Sequence, residues 1–248
     1  MLARLALSFA ALAATPGLAQ APPAGRLIAV GDGTITGAKL KPYSNAWMFS
    51  FVKDGRKRDQ GIWSDVLRYR DVDGKHLLER VQGMTYSNGL SSVTINRFEP
   101  ATLAPVYSEQ HTPDGKMVKR EFAGSHVELR FTKSPGASEE VTRTSLPSGV
   151  YDFNGGMYGM LIAAQPLRVG YAARIPTLGE FDNDLTSIPF RVVRRETISA
   201  GFKGRMGAWV VEVGGESPMT FWISDAPPYI LRLTLPMSGG EAVYDIIS

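Results

Sequence analysis

The residues able to hold a metal or activate a nucleophile are few. The chain has three histidines, His76, His111 and His126, and no cysteine. None of the histidines falls into H-x-H or H-E-x-x-H, the spacings that set two imidazoles on one side of an element to share zinc. Each sits near a turn or on a charged strand and reads as a surface side chain. Asp182-Asn183-Asp184 lacks the glycine and distal glutamate of a calcium loop and reads as a solvated turn. Asp182 and Asp184 could do general acid–base work only if the fold set them in a pocket. Ser50-Phe51-Val52-Lys53 fits S-x-x-K, but it alternates like a strand, and its S-D-N and K-T-G partners are missing, as is any G-x-S-x-G. Gly31, Gly33 and Gly37 miss a dinucleotide loop by one position, with no helical pattern after them. The expectation is a protein with no catalytic residues, no metal site and no cofactor.

The elements that would carry any site are strands. In Ala208–Val213, Trp209, Val211 and Val213 alternate with Ala208, Val210 and Glu212, the period of a sheet. Met219, Phe221 and Ile223 resume an apolar face after Gly214-Gly215. Leu231, Leu233 and Leu235 continue it after Asp225-Ala226-Pro227-Pro228. With Phe190–Val193 upstream, this is an antiparallel meander. Trp209 is expected in the core. The opposite face mixes Val210, Trp222 and Ile230 with Glu212, Arg232 and Thr234, too apolar for a solvated face.

Strands are also expected over 46–52, 61–69, 75–86, 92–98, 106–110, 116–122 and 127–131, with Asn88-Gly89 as a type I′ hairpin signal. A small hairpin is expected at 27–36. Arg68, Arg70, Arg80, Glu121, Glu128 and Arg130 read as a solvated outer surface. The basic turn Lys53–Arg58 reads as a hairpin tip whose charge Asp54 and Asp59 dilute, with contact to an anionic membrane surface as the other reading. Met157, Met160, Leu161 and Ala164 lie at helical spacing before Pro166. The fold class is therefore all-β: a large curved antiparallel meander sheet or open barrel, with one short buried helix near 156–165. That helix is the candidate cover for the mixed face.

Met1–Ala19 has a positive n-region at Arg4, an apolar stretch over Leu5–Ala14 and a small-x-small site at Gly17-Leu18-Ala19. It reads as a cleavable secretory signal, too short to span a bilayer as a helix. The expected organisation is a signal at 1–19, a Pro/Ala-rich leader at 20–26 and a single β-domain over 27–248. The expected location is the periplasm, with no transmembrane segment in the mature chain. The net charge of +3 gives no support to nucleic-acid binding. Without disulfides, a mature chain of roughly 230 residues must be held by its core.

Thr102-Leu103-Ala104-Pro105, Phe153, Gln165-Pro166-Leu167, the Trp209 strand and Phe221-Trp222-Ile223-Ser224 form an ordered set over residues 45–248. The set resembles a family of exported bacterial proteins of unknown function. The resemblance implies a curved antiparallel sheet, loosely similar to periplasmic lipoprotein carriers. It brings no catalytic residues. The mixed face and the apolar helix point to a module that binds a hydrophobic small molecule such as a lipid or acyl chain; the alternatives are an envelope scaffold that binds another protein and, third for want of a catalytic constellation, an enzyme. For the first, the candidate ligand-binding residues are Trp222, Met157, Tyr158, Met160, Val210 and Ile230.

Overall fold

The computed structural model describes residues 25–147, 149–152, 158–179, 182–214 and 219–248. All its strands join one sheet. They are β1 (Arg26–Leu27), β2 (Tyr43–Lys53), β3 (Arg56–Val72), β4 (Lys75–Tyr86), β5 (Ser91–Phe98), β6 (Pro105–His111), β7 (Met117–Ala123), β8 (His126–Thr132), β9 (Glu140–Ser145), β10 (Ala172–Leu178), β11 (Leu185–Ser199), β12 (Arg205–Val213), β13 (Met219–Ile223), β14 (Ile230–Met237) and β15 (Gly240–Ile246). The spatial order is β1-β10-β11-β12-β13-β14-β15-β2-β3-β4-β5-β6-β7-β8-β9. Neighbours are antiparallel except β1, which runs parallel to β10. Two meanders, β2–β9 and β10–β15, are thus zipped together by β15 against β2 in the middle of the sheet.

The expected all-β fold is what the chain adopts, and the alternation produces it: period-two apolar residues give each strand one face to bury. The strand over 75–86 has the expected bounds. The expected N-terminal hairpin does not form. Arg26–Leu27 pairs with Ala173 and Arg174, and the next residues turn away through Gly31 and Gly33, both at positive φ. The turn at Asn88-Gly89 is also of another type. Only Gly89 has positive φ, Gly89 N–H donates to Tyr86 O, and Asn88 Oδ1 accepts from Leu90 N–H. That is a type I turn closed by a left-handed glycine. The I′ geometry, which needs two positive φ values, occurs at Asp54-Gly55 and Asp73-Gly74.

The sheet curls around a buried interior. One short helix, α1 (Tyr158–Ala163), lies inside it, with Met160, Leu161 and Ile162 buried. Gly159 makes that seat possible: a Cβ there would stand 2.3 Å from Ile230 Cδ1 and 3.2 Å from Phe221 Cε1. The helix therefore covers the Phe221 face. Phe221 pairs with Val211 and Leu233, and opposed residues share a face. The expectation that it covers the Trp222 face is corrected. Trp222 pairs with Val210 and Arg232 on the opposite, convex side, where its Nε1–H donates to Glu196. The apolar character of that face comes from Trp222 lying between Val210 and the Arg232 guanidinium, which is 5.5 Å from the ring centroid.

The N-terminal segment closes one end of the interior. Buried Tyr229 donates to Lys39 O and accepts from Lys41 N–H, and Asn45 Nδ2 donates to Pro228 O. Pro227-Pro228 is a cis peptide. Trp209 is not an interior residue. It is half-buried, its Nε1–H donates to Asp225 at 2.7 Å, and the Arg195 guanidinium lies 4.4 Å from its ring centroid.

Candidate functional site

Three tiers of side chains cross the concave face of β2–β9, fixed by strand register. The first is aromatic. Trp47 opposes Trp63, and Trp63 opposes Met84, which opposes Ser92. Trp47 and Trp63 have ring centroids 4.9 Å apart, and Tyr244 meets Trp63 edge-on at 5.4 Å. Phe49 stacks on Tyr244 at 4.7 Å and meets Tyr86 edge-on.

The second tier is polar and runs Asp65, Gln82, Thr94 and Gln110. The third runs Leu67, Arg80, Asn96, Ser108 and Arg120, with every member from Arg80 to Arg120 fully buried. Arg80 lies in the same parity on β4 as Leu78 and Met84, so it points inward. The expectation that Arg80 sits on a solvated surface is corrected. Its Nε donates to Asp65 Oδ1 at 2.9 Å, with both side chains fully buried. Tyr43 OH donates to Asp65 at 2.9 Å, and the same hydroxyl touches Met160 Sδ at 2.7 Å, which ties the helix to this tier. Burial, then the Asp65 charge, holds the Tyr43 phenol well above its usual pKa, so it remains a donor. Arg120 closes the row, donating to Gly179 O and Asp182 O and pairing with Asp152 at 3.4 Å.

Where the aromatic and polar tiers meet, the concave face opens into a groove of about 210 Å³. Its lining includes Trp63, Met84, Tyr86, Gln82, Thr94 and Tyr244. The burial gradient along β4 describes its depth: Leu78 and Arg80 are closed off, Gln82 is nearly so, and Met84 and Tyr86 are half-buried. Gln82 Oε1 in the groove, and the Asn96 amide and Ser108 hydroxyl beneath it, have no hydrogen-bond partner among the described residues. Buried polar atoms are normally paired, and unpaired ones mark places where a small polar group can be received.

Of the residues expected to touch a ligand, Tyr158, Met160 and Ile230 lie on the concave side. Met160 and Ile230 are fully buried there. Ile230 changes face because a bulge between Trp222 and Ile223 sets Ile223 opposite Ile230. Val210 and Trp222 lie on the convex side, so the fold does not bring the six together. Met157, like Phe153, lies outside the described residues. The groove residues that sequence reasoning missed carry a readable signal: Trp63, Asp65 and Leu67 share one parity on β3, as do Leu78, Arg80, Gln82 and Met84 on β4. A polar residue flanked by apolar ones at i±2 is a polar group aimed at the core.

Asp182 Oδ1 accepts from Asp184 N–H, an Asx turn. Among the described residues no three His, Asp or Glu side chains converge as a metal site would require. No helix among them is long and apolar enough to cross a membrane.

The profile of a family described as "Protein of unknown function (DUF3108)" matches residues 79–247, more than half of the chain, and the chain belongs to that family. No curated protein and no solved structure matches it. The match begins within β4, so the arginine of the buried ion pair lies inside it, whereas Asp65 and the tryptophans of the aromatic tier, Trp47 and Trp63, lie outside.

Proposed function

We propose that this member of the DUF3108 family is a binding module for a hydrophobic small molecule with a polar end, held in the concave groove. The observation that carries the reading is the groove's two-sided lining. Trp63, Met84, Tyr86, Leu233 and Tyr244 offer an apolar wall, and Gln82, Thr94 and Gln110 offer hydrogen-bonding groups at its foot. Ligand sites combine these features: mostly apolar walls and a few placed polar groups. Gln82 Oε1 has no hydrogen-bond partner among the described residues, so it can accept from a ligand donor or from water at the groove's foot.

The place of work in this reading is the periplasm, reached by cleavage of the signal at 1–19. The charged n-region, apolar stretch and small-x-small site support it. Native mass spectrometry of protein purified from its host tests the binding reading. A co-purifying adduct of lipid mass, lost when the groove is filled by mutation, is the expected result. An apo mass throughout, with a protein retained instead on pull-down, favours the envelope-interaction reading.

A further inference from the structure

Beyond the aromatic tier, the concave face continues to the rim at the β2–β3 turn. Phe51 lies two residues past Phe49 on β2 and opposes Arg58, and Lys53 opposes Arg56. These four, with Asp54, line a cavity of about 580 Å³. Leu233, Leu235 and Met237 share one parity on β14, opposing Tyr244, Ala242 and Gly240, so an apolar strip runs from the groove to the same rim. Met237 is 50% exposed at its end.

The cations of this hairpin are sorted by face. Lys57 points to the convex side, where Asp245 takes it up at 2.9 Å and also accepts from Arg232. Lys53, Arg56 and Arg58 point to the concave side and make no ion pair with any described residue. Among the described residues Asp54 is the only carboxylate lining their cavity, so the rim keeps a positive excess. Asp59, the other acid of the stretch, accepts instead from Ser50.

We infer that the groove's ligand is an anionic amphiphile, whose phosphate or carboxylate head is held by Lys53, Arg56 and Arg58 while its chain lies along the aromatic tier. The inference rests on the groove-binding reading above and adds an anionic head at the rim, away from Gln82. Two guanidiniums and an ammonium at one rim suit a multi-oxygen anion, since arginine presents a fork of donors and lysine a point charge. The order of features, cations at the rim and aromatics inward, matches the order of head and chain.

The test uses tryptophan fluorescence titrations with dodecyl phosphate, dodecanoate and the uncharged 1-dodecyl glycerol, each below its micelle concentration, and inorganic phosphate alone. At low salt the two anions are expected to bind at least tenfold more tightly than the glycerol ether. Lys53→Gln/Arg56→Gln/Arg58→Gln, or a salt concentration near 1 M where the Debye length falls to about 3 Å, is expected to abolish most of that preference. Lys57→Gln, on the convex face, should leave it in place. Equal binding of charged and uncharged chains overturns the anionic head and leaves the groove reading standing. Inorganic phosphate binding as tightly as dodecyl phosphate overturns the amphiphile. Binding of none of the chains overturns both readings.

Discussion

Asp65 on β3 and Arg80 on β4 form an ion pair with both side chains fully buried, on the two strands that follow β2, where the chain's two meanders join. The pair lies directly under the groove lining, because Asp65 opposes Gln82, which lines the groove. Isolated charges are expensive inside a protein, and this pair is retained with Tyr43 donating to the same carboxylate. Breaking it by Arg80→Met should cost about 3–5 kcal/mol. Arg80→Met with Asp65→Leu should recover most of that loss in urea denaturation. A double variant as unstable as the single one would mean that the charges do more than neutralise each other.

The convex face carries a second charge cluster with a pH signature. The buried Glu79 carboxylate accepts from Arg68, Arg70 and Arg97. Burial pushes its pKa up, and the three guanidiniums outweigh burial and hold it below the usual glutamate value. A lowered folded pKa gives stability that is complete above the unfolded value of about 4.3 and is lost as pH falls through the folded one. Urea midpoints should therefore be nearly level from about pH 7 to 5 and decline below about pH 4. Glu79→Gln should lower the unfolding free energy at neutral pH by about 1–3 kcal/mol and remove part of the acid decline. An unchanged acid decline would assign it to other lowered carboxylates such as Asp245 and Glu109.

The tryptophans should rank by burial. Trp47 is fully buried and donates to Ile230 O at 3.0 Å, so Trp47→Ala should cost about 3–5 kcal/mol. Trp209 is half-buried under Arg195 and should cost less. Equal losses in chemical denaturation would restore Trp209 to the core.

Gly159 seats α1 against Phe221 and Ile230. Gly159→Val should overpack that contact and cost about 1–3 kcal/mol. Gly159→Val combined with Ile230→Ala should regain part of it if the clash is with Ile230. No recovery in the melting midpoint would place the strain in the backbone of the helix instead.

Most strands were legible because their alternation is strong, and α1 because Pro166 bounds its apolar spacing. Three strands were not anticipated. β9 is mostly exposed, so its sequence lacks an apolar face. β10 holds Pro176 inside it, which argues locally against a strand. β15, at the Gly239-Gly240 turn, does alternate, with Ala242, Tyr244 and Ile246 against Glu241, Val243 and Asp245, so its pattern was readable. The identity of the concave face was harder to read. Trp222 and Ile230 are assigned to one face by simple parity, and a single bulge separates them. Curvature decides the rest: it buries a polar row that, in a flat sheet, would have faced water. Individual strand sequences do not specify how far fifteen strands curl.

The most direct test of the central claim fills the groove. Ser92 opposes Met84, lines the groove and is half-buried, so Ser92→Trp places an indole where the ligand's chain would lie, at little cost to the core. Titration with a fluorescent fatty acid should show affinity at least tenfold weaker than wild type, a change of about 1.4 kcal/mol, with the denaturation midpoint unchanged. Trp222→Ala, on the convex face, should bind as wild type does. Wild-type affinity in Ser92→Trp, or loss of binding in Trp222→Ala, would contradict a site in the concave groove.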